Sequence, residues 1–313
     1  MADQENLFDI VVIGSGPAGF TAAIYAVRGG ASTVLFGGVA PGGQLLQTME
    51  IENYPGFTDP VVGADLMQRM MKQASRLGAK VLQESVASLD LSQRPFRLKS
   101  SGGKEYLARA LILATGAQAR WLGLPSEQKY TGKGVSGCAT CDGFFFRGKD
   151  VAVIGGGDSA AEDALFLTKF ANKVYLVHRR DKLRANFRLQ EKLRANPKVE
   201  LVYDHVPQEF TGEAKLTGID LKNVKTGEIR KLAVTGAFIA IGHTPATELV
   251  KRALKLDDEG YVITSERTAT SVPGVYAAGD VADTHYKQAV VAAGTGCKAA
   301  LEALAFIEGC EKK

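Results

Sequence analysis

Two cysteines three residues apart, Cys138-Ala-Thr-Cys141, are followed directly by Asp142. That spacing suits a small disulfide ring that opens and closes reversibly, and Asp142 adds a proton donor or acceptor beside a dithiol that must gain and lose protons. A zinc site would need two more ligands. Cys297 and Cys310 form no second pair of matching spacing, and His178, His205, His243 and His285 are not paired with one another as ligands. The expected metal set is therefore none. Cys297 and Cys310 fall on or after an apolar helix and read as packed or idle thiols.

A second kind of chemistry lies in the glycines. Gly14-Ser15-Gly16-Pro17-Ala18-Gly19 fits GxGxxG. It follows an apolar strand, Phe8–Ile13, and opens a helix, Ala18–Arg28, which is the context the pattern requires. Gly14 permits the turn, Gly16 lets a pyrophosphate approach the backbone, and Gly19 lets helix pack on strand; the helix N-terminus then faces a diphosphate. A second strand, Ser32–Phe36, follows, and Phe36-Gly37-Gly38 stands where an acid for a ribose is expected.

The unit recurs. Asp150–Ile154 runs into Gly155-Gly156-Gly157-Asp158-Ser159-Ala160, a GxGxxA pattern, then a helix over Ser159–Phe170 and a strand over Lys173–Val177. Here the second strand ends in His178-Arg179-Arg180, with Arg184 one turn on. An acid would repel a ribose 2′-phosphate, whereas an arginine fork binds it, so this site is expected to prefer NADPH to NADH. Two nucleotide sites and one CxxC suggest an electron route. NADPH gives two electrons as hydride, a disulfide opens by sulfur attack, and a flavin bridges the two chemistries. The first fingerprint is therefore expected to hold FAD.

These groups need elements to position them. Ala110–Ala114 and Ala237–Ile241 read as buried strands, each ending near a glycine, Gly116 and Gly242, and the second unit lies between them. The expected fold is α/β with two Rossmann-like domains, the NADPH domain inserted in the FAD domain. FAD binding is assigned to 1–119 and 246–313, and NADPH binding with the CxxC to 120–245. Val275–Asp280 and a helix over Gln288–Glu308 complete the first domain. The two adjacent linkers would let the insert turn as a unit.

Composition agrees. At roughly 100–200 residues per domain, 313 residues suggest two domains. Thirty-eight Lys+Arg against 34 Asp+Glu leave +4, too mild for nucleic acid or membrane as the main partner. No apolar run approaches the ~20 residues of a bilayer span. The polar start leaves no room for a targeting segment, and four Cys are too few for a secreted disulfide framework, so the expected location is cytoplasmic.

Over essentially its whole length the chain resembles low-molecular-weight thioredoxin reductases, FAD-dependent pyridine nucleotide-disulfide oxidoreductases. The resemblance rests on CATCD, GGGDSAAEDAL, HRRDKLRA, Gly42-Gly43-Gln44-Leu45, Glu52-Asn53-Tyr54-Pro55-Gly56 and Ala278-Gly279-Asp280. It implies electron transfer from NADPH through FAD and the Cys138–Cys141 disulfide to thioredoxin or a thioredoxin-like protein, and a homodimer. It implies that Phe36–Gln44, including Gly37, wraps the FAD, with Gln44 and Asn53 near the flavin, Val86 at the adenine and Asp280 on the ribityl chain. Lys287-Gln288-Ala289 matches the family's Arg-Gln-Ala, with Lys for Arg, and a helix opening at Gln288 would aim its positive end at the flavin. Gly242 joins the NADPH residues. Cys141 would face the flavin, Cys138 would attack thioredoxin, and Asp142 would serve as acid and base. Phe144–Phe146 offers either an apolar docking patch or a buried strand. A dithiol oxidase or ferredoxin-driven flavoenzyme on this scaffold is disfavoured by His178-Arg179-Arg180. A non-catalytic nucleotide-binding module is disfavoured by CATCD beside two complete fingerprints.

Overall fold

The computed structural model describes residues 6–48 and 50–311. They form two compact units, one running to Gln118 and resuming at Thr244, the other Ala119–His243.

In the first unit Leu7–Ile13 (β1) leads into Pro17–Arg28 (α1) and on to Thr33–Phe36 (β2), parallel to β1 with Ile13 opposite Phe36. Strands covered on both faces read as unbroken apolar runs. Val11, Val12, Val34 and Leu35 are fully buried, each contributing roughly 1.5–3 kcal/mol relative to exposure. Pro17 starts α1 where no intrahelical N–H is needed. Gly63–Arg76 (α2) and Lys80–Leu82 (β3) follow, then an antiparallel meander of Val86–Asp90 (β4), Phe96–Ser100 (β5) and Glu105–Leu113 (β6). The sheet order is β3-β2-β1-β6-β5-β4. The chain then leaves through Ala117–Ala119 (β7).

The second unit opens with Pro125–Tyr130 (α3), Val135–Ser136 (β8) and the one-turn helix Ala139–Asp142 (α4). Its strand–turn–helix–strand unit is Asp150–Gly155 (β9), Asp158–Leu167 (α5) and Lys173–Val177 (β10), followed by Phe187–Ala195 (α6) and Val199–Val202 (β11). An antiparallel sheet of His205–Gly212 (β12), Leu216–Asn223 (β13) and Ile229–Leu232 (β14) precedes Gly236–Ala240 (β15). The parallel sheet has the order β11-β10-β9-β15-β8. The helix expected over Ser159–Phe170 stops at Leu167, where the Thr168 hydroxyl turns back to donate to the Leu165 carbonyl at 2.6 Å.

The chain returns through His243–Pro245 (β16), paired with β7. Within the first unit the Ala246 N–H donates to the Gly116 carbonyl at 2.9 Å and the Thr115 hydroxyl to the Ala246 carbonyl at 2.7 Å. Val275–Ala277 (β17) adds to β6, and Ala289–Glu311 (α7) ends the described chain.

One expectation needs correction. α7 has a mean hydropathy of 1.5 over its most apolar window, long and apolar enough by composition to cross a bilayer. Its small residues serve close packing on α1. A side-chain carbon on Gly296 would lie 2.2 Å from the Ala18 carbonyl oxygen, and one on Gly29 would lie 2.3 Å from Leu304 Cδ1.

Candidate active site

The first cradle forms where β1 and β2 end. A side-chain carbon on Gly19 would sit 1.9 Å from the Gly14 carbonyl oxygen, so only glycine lets α1 come this close to the turn. Above Gly16 a side-chain carbon would meet no protein atom within 4 Å, the clear face a diphosphate needs. Ser15 ties the cradle to the loop after β2: its hydroxyl donates to the Gly37 carbonyl at 2.8 Å and accepts the Gly42 N–H at 3.0 Å. Gly43 then approaches so closely that a side-chain carbon there would lie 3.3 Å from Gly16 Cα. Phe36 closes the floor, edge-on to Tyr106 with ring centroids 5.0 Å apart. Gln44 and Leu45 lie in a 3-10 turn whose Leu45 carbonyl abuts the start of α2 at Gly63.

Residues distant in sequence meet in this unit. The Gly37 and Gly38 N–H groups donate to the carbonyls of Leu82 and Glu84, which brings the loop alongside Val86 at the head of β4. Asn53 Nδ2 donates to Gln288 Oε1 at 3.3 Å, across 235 residues. The Gly279 N–H donates to Thr295 Oγ1 at 2.9 Å, which sets the turn carrying Asp280 beside α7. Burial, and then the charge of Asp283, push the Asp280 carboxyl up to about 6. Lys287 has the left-handed φ of 49°, its N–H held by the Asp283 carboxylate at 2.9 Å. Burial draws the Lys287 ammonium below its ordinary value. Ala289 is the first residue of α7.

The second cradle has the same plan and different walls. A side-chain carbon on Gly157 would meet nothing within 4 Å, again leaving a clear face, and Ala160 is buried where the first cradle has Gly19. Gly155 lies against the Ala240 carbonyl of β15, two residues before Gly242, whose carbonyl accepts the Arg120 N–H at 2.9 Å. His178 is buried, while Arg179, Arg180 and Arg184 are exposed. Burial, with the cations of Arg184 and Arg179, holds the His178 imidazole below its ordinary value, so the positive charge here belongs to the arginines. Asp158 and Ser159 open α5.

The cysteine pair lies in this second unit. Cys138 caps the one-turn helix α4 and is disulfide-bonded to Cys141, with Cα atoms 5.3 Å apart. The Cys138 sulfur accepts the Cys141 N–H at 3.2 Å and lies 3.4 Å from the Thr140 hydroxyl. Cys138 is half-buried and Cys141 exposed. Burial raises the Asp142 carboxyl above its ordinary value, and the Ser136 hydroxyl acts in the opposite direction. Phe144 and Phe145 are 51 % and 40 % exposed in a 3-10 turn, which removes the buried-strand alternative for both. Phe146 instead packs edge-on to Phe238 at 5.4 Å.

Sequence reasoning passed over three participants. The hydroxyl of Ser136 accepts the Cys138 N–H at 3.0 Å, and Thr140 flanks the sulfur. Gly156 stands at an unspecified position of GxGxxA, yet a side-chain carbon there would lie 2.2 Å from His178 Nδ1. Three glycines running into a strand–helix turn was the available signal for Gly156. Nothing in the spacing marked the two hydroxyls.

Comparison with known proteins bears on this arrangement. The family model for pyridine nucleotide-disulphide oxidoreductases matches residues 8–296. A thioredoxin reductase of Rickettsia conorii is 51 % identical over 302 residues, covering 95 % of this chain and 97 % of that protein. One of Streptomyces coelicolor is 50 % identical over 309 residues, covering 98 % and 95 %. Among solved structures, thioredoxin reductase from Giardia duodenalis superposes with a TM-score of 0.93 at 43 % identity, covering 97 % of this chain and 99 % of that one.

Proposed function

The chain belongs to the pyridine nucleotide-disulphide oxidoreductase family, and on that premise we propose how it works as an NADPH-dependent thioredoxin reductase that uses FAD. The observation that carries the reading is a CxxC disulfide with an adjacent acid, Asp142, in the same unit as the arginine-walled cradle.

The two cradles fit their nucleotides differently. Gly14, Gly16, Gly19 and Ser15, with the loop from Phe36 to Leu45, Asn53, Val86, Gly279, Asp280 and Lys287-Gln288-Ala289, would hold FAD. Gly155, Gly157, Ser159, Ala160 and Gly242 would hold the NADPH backbone, and His178, Arg179, Arg180 and Arg184 the 2′-phosphate end, with Asp158 at the head of this cradle. FAD supplies the exchange between two-electron hydride chemistry and sulfur chemistry.

The chain's own residues then do the rest. Once Cys138–Cys141 has gained two electrons and two protons, Asp142 takes the Cys138 proton, and the N–H of Cys141 and the hydroxyl of Thr140 stabilise the thiolate left at Cys138. That thiolate attacks one sulfur of the thioredoxin disulfide, forming a mixed disulfide and releasing a thioredoxin thiolate, which Asp142 protonates. Asp142, now a carboxylate, takes the Cys141 proton. The Cys141 thiolate displaces the second thioredoxin sulfur and re-forms the ring, and that sulfur is protonated in turn. Asp142 suits both roles because burial keeps it ready to take up a proton. Phe144 and Phe145 offer a protein partner an apolar contact beside the ring.

Two further assignments are part of the reading. The exposed Tyr25, Leu46, Val290 and Leu301 suit a second copy of the chain, which light scattering after gel filtration tests. A disulfide that must cycle suits a reducing compartment, the cytoplasm.

The test of the function is steady-state NADPH oxidation with a panel of thioredoxin-like proteins. Turnover requires a disulfide-bearing partner and stops in Cys138→Ser and in Cys141→Ser, whereas Cys297→Ser is nearly silent. Partner-independent NADPH oxidation at the same rate would point to the oxidase reading instead.

A further inference from the structure

Asp158 is out of place by charge. It is an acid at the first turn of α5, beside the face that receives a phosphorylated nucleotide, where a free carboxylate would oppose the ligand. The structure shows where its hydrogen-bonding capacity goes. Asp158 Oδ1 accepts the Asn186 N–H at 2.7 Å and Asn186 Nδ2 at 3.3 Å. Asn186 in turn caps α6, its Oδ1 accepting the Leu189 N–H at 3.1 Å. Immediately before it, the N–H groups of Arg184 and Ala185 both donate to the Gly156 carbonyl, at 2.7 and 3.1 Å. Three consecutive residues, 184–186, are thus fastened to the fingerprint turn. The middle one points its side chain into the core, and the first is an exposed arginine.

We propose that Asp158 is a positioning residue for cofactor choice: by clamping Asn186 to the fingerprint turn it holds Arg184 where a 2′-phosphate must lie. This deepens the reading above and rests on it, since it takes the second unit as the NADPH site. The clamp explains why an acid is compatible with this cradle. Its carboxylate is occupied by an N–H and an amide, and it stands at a helix N-terminus, where negative charge is favoured. It also assigns Asp158 a role different from contact with the nucleotide: it acts through Arg184, the residue that would touch the phosphate.

The prediction concerns discrimination and not binding in general. A residue that merely keeps the fingerprint turn folded affects NADPH and NADH alike, because both carry the same pyrophosphate. A clamp on Arg184 affects only the nucleotide with a 2′-phosphate. The experiment is an anaerobic titration of the purified, FAD-loaded protein, first reduced with dithionite so that neither nucleotide can transfer hydride, with NADPH and with NADH, read as dissociation constants by nucleotide fluorescence. Asp158→Ala is expected to weaken NADPH about tenfold, the scale of one lost charge-assisted hydrogen bond, and to leave NADH within about twofold. Asp158→Asn keeps an acceptor for the Asn186 N–H and is expected to retain most of the discrimination. Asp158→Ser, too short to reach Asn186, reproduces the alanine result and decides the matter if the alanine variant folds poorly. In an Arg184→Ala background, adding Asp158→Ala is expected to change the NADPH-to-NADH ratio little.

Equal weakening of both nucleotides, an unchanged ratio in Asp158→Ala, or a full extra loss in the Arg184→Ala background would each overturn the proposal. A wild-type protein that binds neither nucleotide would overturn the reading of the unit itself. A wild type that prefers NADPH, with an Asp158→Ala variant that prefers it equally, would overturn only the clamp.

Discussion

Two copies of one strand–turn–helix–strand unit sit in this chain, and they differ in how each cradle is walled, which bears on the two tasks proposed for them. The first cradle is enclosed by its own loop. The segment after β2 folds back, Ser15 fastens it at Gly37 and Gly42, and Gly43 comes to rest beside Gly16. The second cradle has a different wall among the described residues: its β10 ends in a buried histidine and exposed arginines, and the bond from Asn186 to Asp158 fastens the segment after β10. On the proposed function, the first arrangement would hold a nucleotide that stays and the second one that comes and goes at each turnover. Packing follows the same division. Gly19 meets the Gly14 carbonyl with no room to spare, while at the matching place in the second cradle the buried Ala160 is accommodated.

The sharpest way to break this comparison is to make the two cradles alike. Gly19→Ala places a carbon 1.9 Å from a backbone oxygen that cannot move without the turn. The expected outcome is a protein that purifies without FAD or fails to fold, read from the flavin absorbance per chain. The reverse change, Ala160→Gly, costs only about 1 kcal/mol of helix stability and leaves nucleotide binding in place. Retention of full FAD by Gly19→Ala would show that the close approach is unimportant.

Next in size is the charge at the end of β10. Replacing Arg179 and Arg180 by alanine is expected to raise the KM for NADPH about tenfold or more per arginine, the scale of a lost charge-assisted hydrogen bond. NADH should be nearly unaffected and FAD content unchanged. A smaller effect is expected at the loop of the first cradle. Ser15→Ala removes two hydrogen bonds, and FAD dissociation, followed by fluorescence of released flavin, should quicken roughly tenfold. NADPH affinity should not move.

The smallest effect is one of stability. Burial and the neighbouring Glu162 push Asp163, on α5, up to about 7 from the ordinary 3.8. A carboxyl whose folded value is raised favours the folded state fully at low pH and loses that contribution as pH rises from about 4 through about 7. Asp163→Asn removes the dependence. Its melting temperature should exceed that of the unmodified chain at pH 8, and the gap should close toward pH 5. A gap that widened with acid would reverse the sign and refute the burial argument.

Much of this was legible in the sequence because strand–glycine–helix junctions are local. Phe8–Ile13 and Asp150–Ile154 are apolar runs that meet their fingerprints at once, and both appear as central strands. The CxxC pair was legible for the same reason. What spacing could not reveal was anything set by the return of the chain. The bond from Asn53 to Gln288 spans 235 residues, and the Gly156–His178 contact depends on how β10 ends beside β9. Ser136 was silent because a lone serine before a cysteine has no pattern; its hydroxyl matters only once α4 turns back over it. The apolar length of α7 was underestimated because alanine and glycine do not stand out as hydrophobic, although they fit the helix to α1.

The central claim is that electrons enter through the arginine-walled cradle, reach FAD in the glycine-enclosed one, and leave only through Cys138 and Cys141. Anaerobic mixing of the Cys138→Ser protein with one equivalent of NADPH, followed by oxidised thioredoxin, tests it most directly. The account predicts that the flavin absorbance bleaches fully and that no thioredoxin thiols appear. Flavin that keeps its colour, or thioredoxin thiols formed at the yield of the unmodified protein, would contradict it.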